Sequence, residues 1–295
     1  MYICGIKKST REDMNNGLNC YDIVTEKIAS VCDLGNVIVV GDMNAKVGVR
    51  EECKIESDSE RRERIRDENI TMLDVPATDR IFCEEDFIRK FKVVNSIVPI
   101  SIALFANSAI VEKKKSNYLS YRSKVWQSTS RGGLPKIFFE KLDFEKYAEF
   151  VINFPILFIQ HEGAYISGRK YTFKDFMNGK IAEIGNRLPT ETDLTTHLST
   201  IFTENRLKKY IELRSMDTCG WDCLCSGPAF YIGMLYANLD EVYEIVSKWD
   251  HNKIINAYLE APQKGFNTQL MGKDLLHWAS ILLGLSKKGL EVRDI

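Results

Sequence analysis

Apolar residues recur along the chain in two rhythms, and the rhythm changes near the middle. In the first hundred residues, short apolar runs alternate with amphipathic stretches. Residues 20–31 place Ile23, Ile28 and Val31 on one helical face. Leu34-Gly35-Asn36 then supplies a turn, and residues 37–40 (VIVV) form a β-branched run suited to a strand covered on both faces. Residues 41–48 follow as a loop at that strand's carboxyl end, where ligands bind in open α/β sheets. Residues 54–69 are polar with mixed charge and read as a solvated segment. Residues 84–90 read as a helix and 91–98 as another strand.

From Phe138 onward the spacing becomes helical. Residues 142–150, 172–183 and 192–214 carry apolar positions three and four apart. Residues 154–160 read as a strand, 228–248 and 253–259 as helices. The stretch 277–295 reads as two strands joined by Ser286-Lys-Lys-Gly289. Between the two textures, residues 112–136 interleave Lys113, Lys114, Lys115, Arg122, Lys124, Arg131 and Lys136 with Tyr118, Tyr121 and Trp126. Arg131-Gly-Gly-Leu-Pro135 makes a boundary there. A basic linker is the favoured reading of this stretch, and single-stranded nucleic acid is a candidate partner at 113–136.

Composition narrows the classes. At 295 residues with 44% hydrophobic content, the chain can build a core. Forty Lys+Arg against 41 Asp+Glu excludes a chain that coats polyanions over its whole surface. The eight cysteines are mostly scattered, which implies reduced thiols and a cytoplasmic setting rather than a secreted disulfide framework. The first residues turn charged after six positions, so no signal peptide is expected. The longest apolar stretch, 97–111, is interrupted by Ser101, Asn107 and Ser108, and no membrane association is expected.

Two constellations carry chemistry. In the first, Asp42 and Asn44 stand in Gly41-Asp-Met-Asn-Ala-Lys-Val-Gly48, with Phe82-Cys-Glu-Glu85 and Lys92-Val-Val-Asn95 further on. Residues 19–98 thereby resemble the middle of the endonuclease/exonuclease/phosphatase family, in the form carried by non-LTR retrotransposons. The resemblance implies that Asp42 and Asn44 orient water and the scissile phosphate beside Mg²⁺.

In the second, Asp217-Thr-Cys219-Gly-Trp-Asp-Cys223-Leu-Cys225 precedes a helix, and His277-Trp278 and Asp294 lie downstream. A thiolate at a helix start with an imidazole in reach is a nucleophile in waiting. Cys219-Gly-Trp-Asp-Cys223 and His277-Trp278 resemble the papain-like cysteine peptidases, the small arterivirus and OTU types among them. The resemblance implies Cys219 as nucleophile, His277 as base and Asp294 as the group that orients the ring. The same three thiols with His251 or His277 form an alternative zinc set.

The fold class expected is an α/β amino-terminal region followed by an α+β, helix-rich papain-like region. The expected domains are 1–111, a linker at 112–136, and 137–295. The leading function is cysteine-dependent hydrolysis of a peptide or isopeptide bond. Its partners would be protein or peptide substrates, ubiquitin-like ones included, and it would need no cofactor. A Mg²⁺-dependent nuclease remnant at Asp42 and Asn44 is the alternative, and a non-catalytic interaction protein is the third reading.

Overall fold

The computed structural model describes residues 39–40 and 84–293, apart from 209, 220–222 and 224. Helix α1 (Glu84–Ser96) runs straight through the stretch expected to become a strand at 91. Phe87, Phe91 and Val94 fall four and three residues apart and are fully buried with Val93 and Ile97. The helix propensity lost at two valines is a fraction of a kcal/mol each, and the buried area outweighs it. Helix α2 (Val98–Leu104) follows at once, with Pro99 in its first turn where no amide hydrogen is needed.

The segment 112–136 is folded. Strands β2 (Ile110–Val111) and β3 (Lys114–Lys115) make a hairpin that turns through Glu112 and Lys113, both at positive φ. Helix α3 (Tyr121–Gln127) is capped by the Ser120 hydroxyl, which accepts from the Ser123 amide. Strand β4 (Gly132–Gly133) comes next. The main hydrophobic core draws on residues from Phe87 to Leu282, so both sides of this segment build one interior.

Beyond it, helix α4 (Phe144–Asn153) leads to a hairpin of β5 (Phe158–His161) and β6 (Ala164–Ser167). Helices α5 (Phe173–Met177) and α6 (Glu191–Ser199) each start with a capping box, Thr172 with Asp175 and Thr190 with Asp193. The hairpin and these two helices close over a satellite cluster of Ile156, Ile159, Phe173, Phe176, Ile181 and Ile184.

Residues 192–214 were expected as one helix, but the chain leaves helical geometry after Ser199. Strand β7 (Phe202–Thr203) pairs in parallel with β4. Strands β8 (Asn205–Leu207) and β9 (Ile211–Leu213) form an antiparallel hairpin. Strand β1 (Val39–Val40), inside the run expected as a strand, lies parallel to β9 and gives the order β1-β9-β8.

Helices α7 (Ser226–Tyr236), α8 (Leu239–Val246) and α9 (His251–Lys264) then pack over the core. A short hairpin, β10 (Gln269–Leu270) with β11 (Lys273–Asp274), leads into helix α10 (Leu275–Val292). Where two strands were expected over 277–295, residues 277–292 belong to this helix. Leu275, Ala279, Leu282, Ser286 and Gly289 are its buried positions, three or four apart. Gly289 is no turn: it lets α10 approach the α7 backbone, because a Cβ there would overlap the Gly233 carbonyl. The described residues thus mix helices with small sheets, and nothing in their arrangement singles out a papain-like fold.

Candidate functional site

Residues 204–217 (ENRLKKYIELRSMD) alternate charged and apolar positions, a pattern that ordinarily marks a strand with one face in water. Here the charged face is buried. Glu204, Arg206, Glu212 and Arg214 are each less than a tenth exposed. Register places Arg206 opposite Glu212, an oppositely charged cross-strand pair. The Arg206 Nε and Nη2 donate to the two Glu212 carboxylate oxygens at 2.6 and 3.0 Å. Its Nη1 donates to the carbonyls of Ser199 and Ile201.

Glu212 also accepts from Arg214 Nη1 at 3.2 Å and lies 3.6 Å from Lys208 Nζ. Burial alone would raise the Glu212 pKa, but hydrogen bonds and charge from Arg206, with help from Lys208 and Arg214, hold it below the ordinary carboxylate range. Arg214 in turn lies over the rings of Trp126 and Phe202, 5.1 and 5.7 Å from their centroids.

Glu204 sits at the entrance to this hairpin, and Tyr258 of α9 donates its hydroxyl to Glu204 Oε1 at 2.8 Å. Burial pushes the Glu204 carboxyl above its ordinary range. The Tyr258 hydrogen bond and the charges of Arg122 and Arg214 only partly oppose that. Asp217 is a hub: its carboxylate accepts from the Asn107 amide and the hydroxyls of Ser108 and Ser120 at 2.7–2.8 Å. Ser108 Oγ also accepts from the Arg122 amide at 3.0 Å, which ties the start of α3 to the hub.

Arg122 is the unresolved element of this cluster. Its Nη1 and Nη2 are both buried, and among the described residues neither has a hydrogen-bond partner. Its guanidinium carbon is 6.0 Å from the Trp126 ring and within charge range of Glu204. A buried guanidinium with idle donors is an unmet hydrogen-bonding need in this cluster.

The basic and aromatic residues of 113–136 therefore divide. Lys114 and Lys115 are exposed on the β2–β3 hairpin. Trp126 meets Phe202 at 5.1 Å, and Arg131 donates to the carbonyls of Thr200 and Pro155 and lies over Phe154. Part of the interleaving expected to track a nucleic acid strand, Trp126 and Arg131, is thus engaged in packing and hydrogen bonds within the fold.

The residues singled out as catalytic are placed as follows. Cys219 is half-buried and joined by a disulfide to Cys223, with Cα atoms 5.9 Å apart. His277 is exposed in the first turn of α10, where its amide donates to the capping Asp274 carboxylate at 2.8 Å and its ring stands edge-on to Trp278. No hydrogen bond between Cys219 and His277 occurs among the described residues. Asp294, Asp42 and Asn44 lie outside the described residues. Sequence reasoning passed over the 204–217 hairpin because its apolar positions were read at helical spacing. The near-alternation of charged and apolar residues from Arg206 to Arg214, broken at Lys209 and Tyr210, was the signal available.

Comparison with known proteins identifies the family of the chain. Residues 79–293 match the model of the Glutamate-cysteine ligase family 2 (GCS2). The chain is 39% identical over 215 residues to "Glutamate--cysteine ligase, chloroplastic" of Nicotiana tabacum, covering 71% of this chain and 41% of the relative. It is 38% identical over 215 residues to the protein of the same name from Solanum lycopersicum, with the same coverage. Against "Glutamate--cysteine ligase B, chloroplastic" of Oryza sativa subsp. japonica it is 37% identical over 215 residues, 71% of this chain and 43% of that one. The chain thus spans about two fifths of the length of these curated relatives.

These matches overturn both resemblances drawn from short motifs, the retrotransposon-type nuclease and the papain-like peptidase. With them go the hydrolase and endonuclease activities and the protein, ubiquitin-like and nucleic acid partners. Motifs of a few residues around Cys219 and Asp42 occur by chance, whereas the match at 79–293 extends over the whole described core. The chain belongs to the glutamate-cysteine ligase family 2.

Proposed function

We propose that this chain carries part of the ligation site of a glutamate–cysteine ligase, and that Arg122 receives a carboxylate of an amino-acid substrate. The supporting observation is the pair of buried, unpartnered Arg122 nitrogens beside a hairpin of otherwise satisfied charges. Burying a cation without a counter-charge is costly, and a bound carboxylate would offset that cost with two parallel hydrogen bonds. Glutamate and cysteine, the amino acids in the relatives' name, both carry such a group.

Joining a carboxylate to an amine in water runs uphill, so one carboxyl must first be activated by a phosphoryl donor such as a nucleoside triphosphate. The carboxylate takes the terminal phosphoryl group and the nucleoside diphosphate leaves. The amine then attacks the acyl-phosphate carbonyl, the acyl C–O bond breaks with release of inorganic phosphate, and the new amide nitrogen sheds a proton. In its ionised form Glu204, a buried carboxyl within charge range of Arg122, would accept that proton. The Arg206–Glu212–Arg214 network fixes the hairpin on which Glu204 is carried, so donor positions are set before substrate arrives.

The test is calorimetric binding of glutamate and of cysteine to the full-length protein and to its Arg122→Met and Arg122→Lys variants. At least one amino acid should bind roughly tenfold or more weakly to Arg122→Met, the range expected for a lost charge-assisted pair. Arg122→Lys should fall between. Equal affinity of parent and Arg122→Met for both amino acids would remove Arg122 from the site.

A further inference from the structure

Glu204 has its main chain fixed from both sides. Its amide donates to the Gly133 carbonyl at 3.1 Å, and its own carbonyl accepts from the Arg214 amide at 2.9 Å. Only the side-chain torsions are left to decide where the carboxyl points. Among the described residues, Tyr258 is the only side chain that hydrogen-bonds this carboxyl, with its hydroxyl 2.8 Å from Oε1.

Tyr258 is itself held at both ends. Four residues on, Pro262 stands inside α9 without an amide hydrogen, so the Tyr258 carbonyl lacks its helical donor. Gln127 of α3 fills that place, donating Nε2 to the Tyr258 carbonyl at 2.6 Å. The Tyr258 side chain is buried. One residue thus bridges the helix that carries Arg122 and the hairpin entrance that carries Glu204.

The charged and titratable groups around Glu204 are Tyr258 of α9, Arg122 of α3, Tyr231 of α7, and Arg214 and Asp217 beyond β9. Burial, with Asp217, favours the protonated carboxyl. The Tyr258 hydrogen bond, Arg122 and Arg214 favour the anion, and the Tyr258 bond does so most. A carboxyl must be an anion before it can take a proton. Burial and the Glu204 charge push the Tyr258 hydroxyl far above its ordinary range, so it stays the donor.

Resting on the reading of Glu204 as acceptor of the amine's proton, we propose that Tyr258 is a positioning residue for the ligation. Its hydroxyl holds the carboxyl by Oε1 and stabilises the anion, and the proton leaving the new amide nitrogen forms its O–H bond at Oε2.

Infrared difference spectra of the full-length protein across pH follow the protonated carboxyl, with Glu204→Gln assigning its band. Tyr258→Phe keeps the ring and removes the hydroxyl, and the midpoint of the band should rise by about one to two pH units. The acid limb of the ligation rate should rise with it, with KM for both amino acids unchanged and the rate recovering at high pH. Site-specific 3-fluorotyrosine at position 258, a stronger donor of nearly the same shape, should move both midpoints the other way. A band midpoint unmoved by either replacement overturns the inference. So does a Tyr258→Phe rate that falls equally at every pH, the mark of a merely structural role. A Glu204→Gln protein with the parent's ligation rate overturns instead the reading of Glu204 as acceptor, whatever the band does.

Discussion

Arg206 and Glu212 face each other directly across the β8–β9 hairpin, fork to fork, and Glu212 serves Arg214 and Lys208 as well. One carboxylate therefore balances three cations in a nearly dry interior. Removing a single partner from such a network leaves charge uncompensated, which costs far more than the network contributes over an apolar equivalent.

Glu212→Gln is accordingly expected to destabilise the protein by about 3–5 kcal/mol in urea unfolding at neutral pH. The direction with pH follows from the depressed Glu212 pKa. Its contribution is complete above the unfolded carboxylate value of about 4.3 and is lost as pH falls through the lower folded value. A Glu212→Gln protein as stable as the parent at pH 7 would show that the hairpin's charges are solvated.

Glu204 titrates in the opposite sense. Its folded pKa is raised by burial, so the folded state keeps a proton that the unfolded state has already released. Stability from this group is present below the unfolded value and declines as pH rises through the folded one. Glu204→Gln keeps an oxygen for the Tyr258 hydroxyl. It should flatten the decline of stability with pH, read as unfolding midpoints at pH 5 and pH 8. A slope identical to the parent's would mean that Glu204 does not titrate in that window.

Arg122 separates function from stability. Because neither terminal nitrogen has a partner, Arg122→Met gives up no hydrogen bond there and removes a buried charge. Its thermal midpoint is expected to equal or exceed the parent's, even where amino-acid binding is lost. A fall of several degrees would instead assign Arg122 a structural role.

Two glycines of α10 should respond in opposite ways. At Gly289 a Cβ would overlap the Gly233 backbone, and at Gly284 it meets nothing within 4 Å. Gly289→Ala must push α7 and α10 apart, with an expected loss of about 1–3 kcal/mol or more. Gly284→Ala should gain roughly 0.5–1 kcal/mol from the lower entropy of the unfolded chain. Chemical denaturation of the two variants side by side checks both, and a stabilising Gly289→Ala would contradict the close helix contact.

Element positions were legible wherever a short-range rule fixed them. The apolar spacing in 142–150 and 253–259 marked α4 and α9, and residues 154–160 held the start of the β5 strand. The rule failed where tertiary partners changed its meaning. In α1, the valines at 93 and 94 suggested a strand, but phenylalanines one turn apart had a core to face. In α10, Ser286-Lys-Lys-Gly289 suggested a turn, though Gly289 is there to let a neighbouring helix approach.

By itself, the sequence determined that the chain can bury a core, that its charges nearly cancel, and where its most regular helices lie, because these depend on composition and on neighbours three or four residues away. Tertiary structure alone decided which charges are buried. Whether Arg206, Glu212 and Glu204 face water or one another depends on β1, α9 and the 199–201 carbonyls closing around them, and those contacts join residues far apart in the chain.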